Sequence, residues 1–302
     1  MHSRDGLTRY AWLSIVTALA IILLKVVAYL LTGSIGFLSD ALESAANIIA
    51  AVITLIALIV AAKPPDKEHA FGHSKSEYLS SGIEGALILI AALVIIYQAI
   101  LRLITPQPLE QVGLGMLVSA VAALINFATA RILLRAGELH RSAALTADAH
   151  HLLTDVWTTV GVILGVGLAG LTGLVWLDPV IALIVAGRIL FTGVSIVRMS
   201  ANGLMDAALP AGEVDRAEDI LNRHSRDGVQ YHALRTRQAG SQRFLSVHIQ
   251  VPGEWSVQRG HELLEEIERE LRNDLNPISV ITHLEPAEDP VSMKDAMLNR
   301  TD

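Results

Sequence analysis

The stretch "DAHHLLTDV", residues 148–156, sets two aspartates and two adjacent histidines inside an apolar run that extends from 143 to 168. A run of that length can cross a bilayer as a helix, for which about 20 mostly apolar residues suffice. Ionisable groups inside such a run are rare and by default mark a functional site. By the helical period, residues four apart lie about 40° apart around the axis and share a face, whereas residues five apart lie about 140° apart. His151 and Asp155 are therefore geometric partners. His150 points elsewhere and reads as a packing or interfacial histidine. Asp148 reads as a helix-packing or supporting residue.

Five further apolar runs, 10–31, 35–62, 78–104, 114–134 and 176–197, make six spans with the first. Composition agrees. Of 302 residues, 52% are hydrophobic and 18% charged, against about 25% charged in an ordinary soluble domain, and the mean hydropathy is +0.48. With no cysteine, disulfides and thiolate metal sites are excluded. The formal net charge of −7 argues against nucleic acid as a partner. The first apolar run is too long for the core of a cleavable signal peptide. Arg4, Arg9, Lys63, Lys67, Lys75, Arg135, Arg141 and Arg198 all fall on one side of this plan, while the 1–2 and 5–6 loops carry no Lys or Arg. The excess of positive charge puts both termini in the cytoplasm, in the inner (cytoplasmic) membrane of the cell.

The membrane domain is expected over 1–206, a cytoplasmic domain over 207–290 and a flexible tail over 291–302. The cytoplasmic part reads α-β-β-α-β, a ferredoxin-like α/β arrangement. "AGEVDRAEDILNRH" (211–224) and "SVQRGHELLEEIERELRNDL" (256–275) have helical periodicity. "VQYHALRTRQ" (229–238) and "RFLSVHIQV" (243–251) alternate around a turn at "AGSQ" (239–242), and "ISVITHLEP" (278–286) is a third strand.

The second span holds the counterpart of the opening stretch, "SDALESAAN" (39–47), in which Glu43 and Asn47 are again four apart and Asp40 is read as supporting. Two facing helices would then offer one imidazole, two carboxylates and one amide oxygen. Four N/O donors suit a divalent cation such as zinc, and Glu43 with Asp155 would balance its charge. The bland alternative is polar adhesion between helices, which two matched pairs make the weaker reading. Lys25 and Glu84 are read as snorkelling or helix-packing charges, and Arg188, midway along the sixth span, has no assigned role. "HELLE" (261–265) lacks the second histidine of a zinc-protease helix. No nucleotide-binding loop and no enzyme motif is present.

The chain resembles the cation diffusion facilitator family, six-span divalent metal/proton antiporters, over nearly its whole length. The matching stretches are "TGSIGFLSDALESAAN" (32–47), "HAFGHSKSEYLSS" (69–81), "TADAHHLLTD" (146–155), "LMDAALP" (204–210) and "LRTRQAGSQRFLSVHIQV" (234–251). The resemblance implies a transport site at Glu43, Asn47, His151 and Asp155. Zinc carriers of the family usually have Asp or His at the first of these positions and Asp at the second, so this chain departs from the pattern at Glu43 and Asn47. It implies a second site at Asp66, His69 and His73, and a third in the cytoplasmic domain at His232, His248, His261, His283 and Glu285, where Asp is expected at the last position. It implies a salt bridge between Lys75 and Asp206, and a homodimer.

The resulting expectation is a proton-coupled exporter of a divalent transition metal, working by alternating access, with Zn2+ first and Fe2+, Cd2+, Co2+ or Mn2+ also compatible with the donors. His151 is the expected proton-coupled ligand. Its partners are metal ions, protons, the lipid bilayer and a second copy of the chain, with no nucleotide. The alternatives are a membrane-anchored metal sensor or storage module, and an intramembrane metalloenzyme.

Overall fold

The computed structural model describes residues 6–32, 35–105, 112–174 and 176–292, and the chain forms two compact units, Met1–Ala201 and Asn202–Asp302. Most of the tail expected over 291–302 lies outside the described residues.

The first unit is helical: α1 (Thr8–Thr32), α2 (Ile35–Ala61), α3 (Ser76–Ile104), α4 (Val112–His140), α5 (Ala143–Thr172) and α6 (Leu177–Leu204). Among the described residues, four stretches are long and apolar enough to cross a membrane: Thr8–Val27, Ser76–Ile104, Leu117–His140 and Pro179–Leu204. The other two helices, α2 and α5, carry the polar residues singled out above, and the stretch Ile48–Ala61 of α2 is a shorter apolar helix. Helix ends follow local chemistry. Pro64 and Pro65 follow α2 and cannot extend it. Between α4 and α5 the chain turns at Arg141, with φ of 53°. The Ser142 hydroxyl then accepts the Leu145 N–H, satisfying a donor at the start of α5.

Large side chains such as Trp12, Leu19, Leu23, Leu93, Leu124 and Phe191 point outward, as a lipid-facing belt requires. The interior mixes leucines with small residues: Ala11, Ala51, Ala130, Ala144 and Ala149 are at most 1% exposed, as are Leu133 and Leu145. Apolar lipid gives no hydrophobic drive for helix association, so close backbone approach supplies the contact energy. The seam between α3 and α6 shows the same economy. A Cβ on Gly85 would stand 2.9 Å from Val197, and one on Gly193 would stand 2.8 Å from Leu89.

The second unit contains α7 (Ala211–His224), β1 (Gln230–Ala239), β2 (Gln242–Val251), α8 (Val257–Asp274) and β3 (Ile278–Pro286), the order read from the sequence. The sheet runs β1-β2-β3, with β1 antiparallel and β3 parallel to the central β2. Leu245, Val247, Ile249 and Val251 of β2 face the helices and pack with Ile220, Leu221, Ile267, Leu271 and Leu275. The intervening residues of β2, His248 among them, belong to the opposite face by the two-residue period. Arg243 is an exception to apolar burial. It pairs with Glu213 of α7 at 3.0 Å and donates to the carbonyl of Leu275 at the end of α8, tying both helices to the strand.

The alternation read in β1 is interrupted. His232 pairs with His248 but Arg235 pairs with Ser246, so two residues of β1 oppose one of β2. The bulge includes Ala233, whose φ is +50°. It keeps Tyr231 and Leu234 on the core side and His232 in line with His248.

Candidate metal-binding sites

The residues expected to form a transport site lie on α2 and α5, which pack against each other. Glu43 and Asn47 fall one turn apart on α2, and the side chains of both, like that of Asp40, lie outside the described residues. On α5, His151 and Asp155 are half-buried, one turn apart. The Asp155 carboxylate accepts a hydrogen bond from the Asn126 amide of α4 at 3.4 Å, and Asn126 is 4% exposed. Sequence reasoning passed over Asn126; a lone amide within the apolar "LINFATA" (124–130) was the available signal. Asp148 is buried and accepts a hydrogen bond from Ser14 of α1 at 3.1 Å. His150 is half-buried on the same helix, and the Arg188 guanidinium lies 5.7 Å from the ring centre of Phe191.

Asp66, His69 and His73 come together in the loop between α2 and α3, their ligand atoms all within 4.8 Å of one another. His69 Nδ1 is 3.4 Å and His73 Nε2 3.3 Å from the Asp66 carboxylate, and the two rings are 4.4 Å apart. The spacing would fit one face of a helix, but the segment is irregular. Its organiser is Asp66, whose Oδ1 accepts the backbone N–H groups of His69 at 2.7 Å and Glu68 at 3.0 Å, a local turn that short acidic side chains favour. Those bonds, the one from His69 first, hold the exposed Asp66 carboxyl below its ordinary pKa.

The third group lies on the sheet. His232, His248 and His283 occupy directly paired positions on the three strands, with successive rings 5.0 Å apart. Glu285, two residues beyond His283, is 5% exposed. Its carboxylate bridges His232 Nε2 at 2.8 Å and His248 Nδ1 at 2.9 Å. These three residues form the converging set, with ligand atoms all within 4.8 Å. His283 Nε2 is 3.6 Å from Glu285, and its side chain is 62% exposed, an edge position. His261 is exposed on α8 and does not join the converging set. The structure thus brings together three of the five residues carried over by resemblance. Asp206 accepts a hydrogen bond from Arg237 at 3.0 Å, a partner the sequence did not suggest.

An intramembrane-type helical unit with an imidazole–carboxylate pair, followed by an α/β unit with a histidine-rich sheet, defines a metal-handling membrane protein. Residues 11–205 match the cation efflux transmembrane domain and residues 209–287 the cation efflux protein cytoplasmic domain. The uncharacterized transporter sll1263 of Synechocystis sp. is 50% identical over 283 residues, covering 94% of this chain and 91% of its own length. The cation-efflux pump FieF of Shewanella oneidensis is 30% identical over 275 residues, covering 91% and 92%. That of Citrobacter koseri is 29% identical over 280 residues, 92% of each chain. The chain belongs to the cation efflux family, the cation diffusion facilitators, which are membrane transporters.

Proposed function

We propose that the protein is a proton-coupled exporter of divalent transition-metal cations, Zn2+ first among them, working by alternating access as a homodimer in the inner membrane. One observation carries the reading: His151 and Asp155 stand one turn apart on α5 within the helical unit, and α5 packs on the helix that bears Glu43 and Asn47. The relatives named as cation-efflux pumps support outward movement.

In this reading all six helices span the membrane, both termini are cytoplasmic, and 207–290 is the cytoplasmic domain. Metal binds Glu43, Asn47, His151 and Asp155 from the cytoplasm. Ligation needs neutral imidazole and ionised carboxylate, so protons compete for the same atoms, and His151 is the ligand whose class titrates closest to neutral pH. Proton entry from outside then releases the metal there. Asn47 replaces a carboxylate by a neutral oxygen, which moves preference toward harder ions such as Mn2+. Asp66, His69 and His73, and separately His232, His248 and Glu285 with His283 beside them on the sheet, bind metal as regulatory ligand.

Proteoliposomes loaded with a metal-sensitive dye test this directly. Asp155→Ala is expected to abolish proton-driven metal flux, and flux at the wild-type level would show the site to be misplaced. Metal binding by a wild-type protein that moves no metal would favour the sensor reading instead.

A further inference from the structure

Helix α4 carries two arginines on the side turned away from the other helices. Arg131 and Arg135 are exposed, and four residues apart they share one helical face. Ala130, Leu133 and Ala136, on the other side of the same turns, are buried against α1, α2 and α5. On the outer side the neighbours are apolar: Leu124, Phe127, Ile132 and Leu139 are all exposed. The arginines thus stand inside the apolar stretch Leu117–His140 and not beyond its end. Neither forms an ion pair among the described residues, with Glu138 or with any other carboxylate. Aromatic residues mark the level of the membrane surface at this end. The Tyr10 ring near the start of α1 lies 6.5 Å from the ring of His140 in the last turn of α4, so these two helix ends meet. The Arg9 guanidinium lies 4.8 Å from the centre of the Tyr10 ring and donates to its hydroxyl at 2.9 Å, and Trp12 beside them is exposed. Tyrosine and tryptophan at span ends sit at headgroup depth. Counting back from His140 along the helix, Arg135 lies about 7.5 Å and Arg131 about 13.5 Å inside that level.

We propose that Arg131 and Arg135 form a binding site for one anionic phospholipid, whose phosphate they draw below the level of the surrounding headgroups. A guanidinium that faces hydrocarbon is costly to hold there unless it reaches a polar group, and its fork of donors matches phosphate oxygens two at a time. Two guanidiniums one turn apart hold one phosphate between them. Their double positive charge selects the class of lipid. Phosphatidylglycerol brings a net negative charge, whereas phosphatidylcholine carries its own cation to the same place. The acyl chains then run toward the middle of the bilayer along Leu124 and Phe127, which are exposed on the inner side of the arginines. A soluble phosphate is the poorer occupant, because the surface on both sides of the pair is apolar. Helix α4 also carries Asn126, which donates to Asp155, so a lipid held here steadies the helix that orients that carboxylate. The site rests on α4 spanning the bilayer and not on the metal and proton steps proposed above.

Native mass spectrometry of the full-length protein in detergent, with phosphatidylglycerol and phosphatidylcholine of matched acyl chains added in equal amounts, counts the lipid that stays bound. The wild type is expected to retain phosphatidylglycerol in preference. Arg131→Gln and Arg135→Gln should each weaken that preference about fivefold, the effect of one basic residue at an anionic surface. The paired variant should lose one tightly bound phosphatidylglycerol per chain. Arg102→Gln, which removes a single charge from the last turn of α3, should leave the preference unchanged. A wild type that retains both lipids alike overturns the proposal, as does a paired variant that keeps its phosphatidylglycerol. An equal loss in Arg102→Gln also overturns it, since net charge and not a site would then be at work. Displacement of the bound phosphatidylglycerol by inorganic phosphate would make this a soluble-anion site instead. If the paired variant does not fold, the two single variants decide the matter against Arg102→Gln.

Discussion

Asn126 illustrates how a residue with no charge can govern a charged one. A carboxylate only accepts, so the amide nitrogen must face Asp155, and one Asp155 oxygen is thereby occupied. Loss of such orienting partners typically weakens a metal site about 10- to 100-fold. Asn126→Ala should raise the metal KM by about that factor with little effect on folding, measured by flux in parallel with thermal melting. On α2, Asn47→Asp should strengthen zinc binding relative to manganese in a competition assay; unchanged affinities for both would remove Asn47 from the ligand set. In the loop, the pKa of Asp66 is depressed in the folded state. Its contribution to the turn is therefore fully present above its ordinary value and is lost only as pH falls through the lower one. Asp66→Asn should undo the turn and weaken metal binding by this loop at neutral pH, read by calorimetry.

At the scale of elements, the β1 bulge and the Arg243 clasp decide whether the cytoplasmic unit can hold metal at all. Ala233 adopts a left-handed conformation that costs an L-residue about 1 kcal/mol. Ala233→Gly should therefore stabilise the domain by up to about 1 kcal/mol, read as a higher melting temperature. Deleting Ala233 should do the opposite to function: His232 would rotate off the face of His248 and Glu285, and calorimetric metal binding at this site should vanish. The Arg243–Glu213 pair is largely buried. Removing one partner leaves a buried charge uncompensated, at a cost of about 3 kcal/mol, so Glu213→Gln should be strongly destabilising in denaturant. Periodicity made the strands and helices of this unit readable, because one face of each is apolar. The bulge was not readable: "YHALR" (231–235) alternates acceptably by composition, and only pairing with β2 reveals the extra residue. The loop triad was readable as a set of ligands but not as a shape, since the turn comes from backbone N–H groups closing on Asp66 rather than from a helical period.

Across the whole molecule, a long apolar run interrupted by paired ligands was enough to identify the helical unit, and the drop in hydropathy after residue 206 the α/β unit. What the sequence concealed was which helix each polar side chain answers to. A serine or threonine in a helix commonly bonds a carbonyl one turn back, so nothing in "LSIVT" (13–17) or "VITLI" (52–56) announces that Ser14 and Thr54 reach across to carboxylates on other helices. The proposed dimer gives a prediction at this scale. Metal at the His232–His248–Glu285 group should tighten self-association of the full-length protein in detergent, and His248→Ala should remove the metal dependence in sedimentation experiments.

The alanine-built interior has a mechanical meaning as well. Helices usually lock in register because bulky side chains mesh as ridges in grooves. Where Ala51, Ala130, Ala144 and Ala149 supply the surface, the ridges are one methyl deep. Leu55, Leu133, Leu145 and Leu152 of the same cluster mesh between them. The interior thus alternates smooth strips with teeth: the alanines let backbones come close, and the leucines fix how far one helix can travel past another.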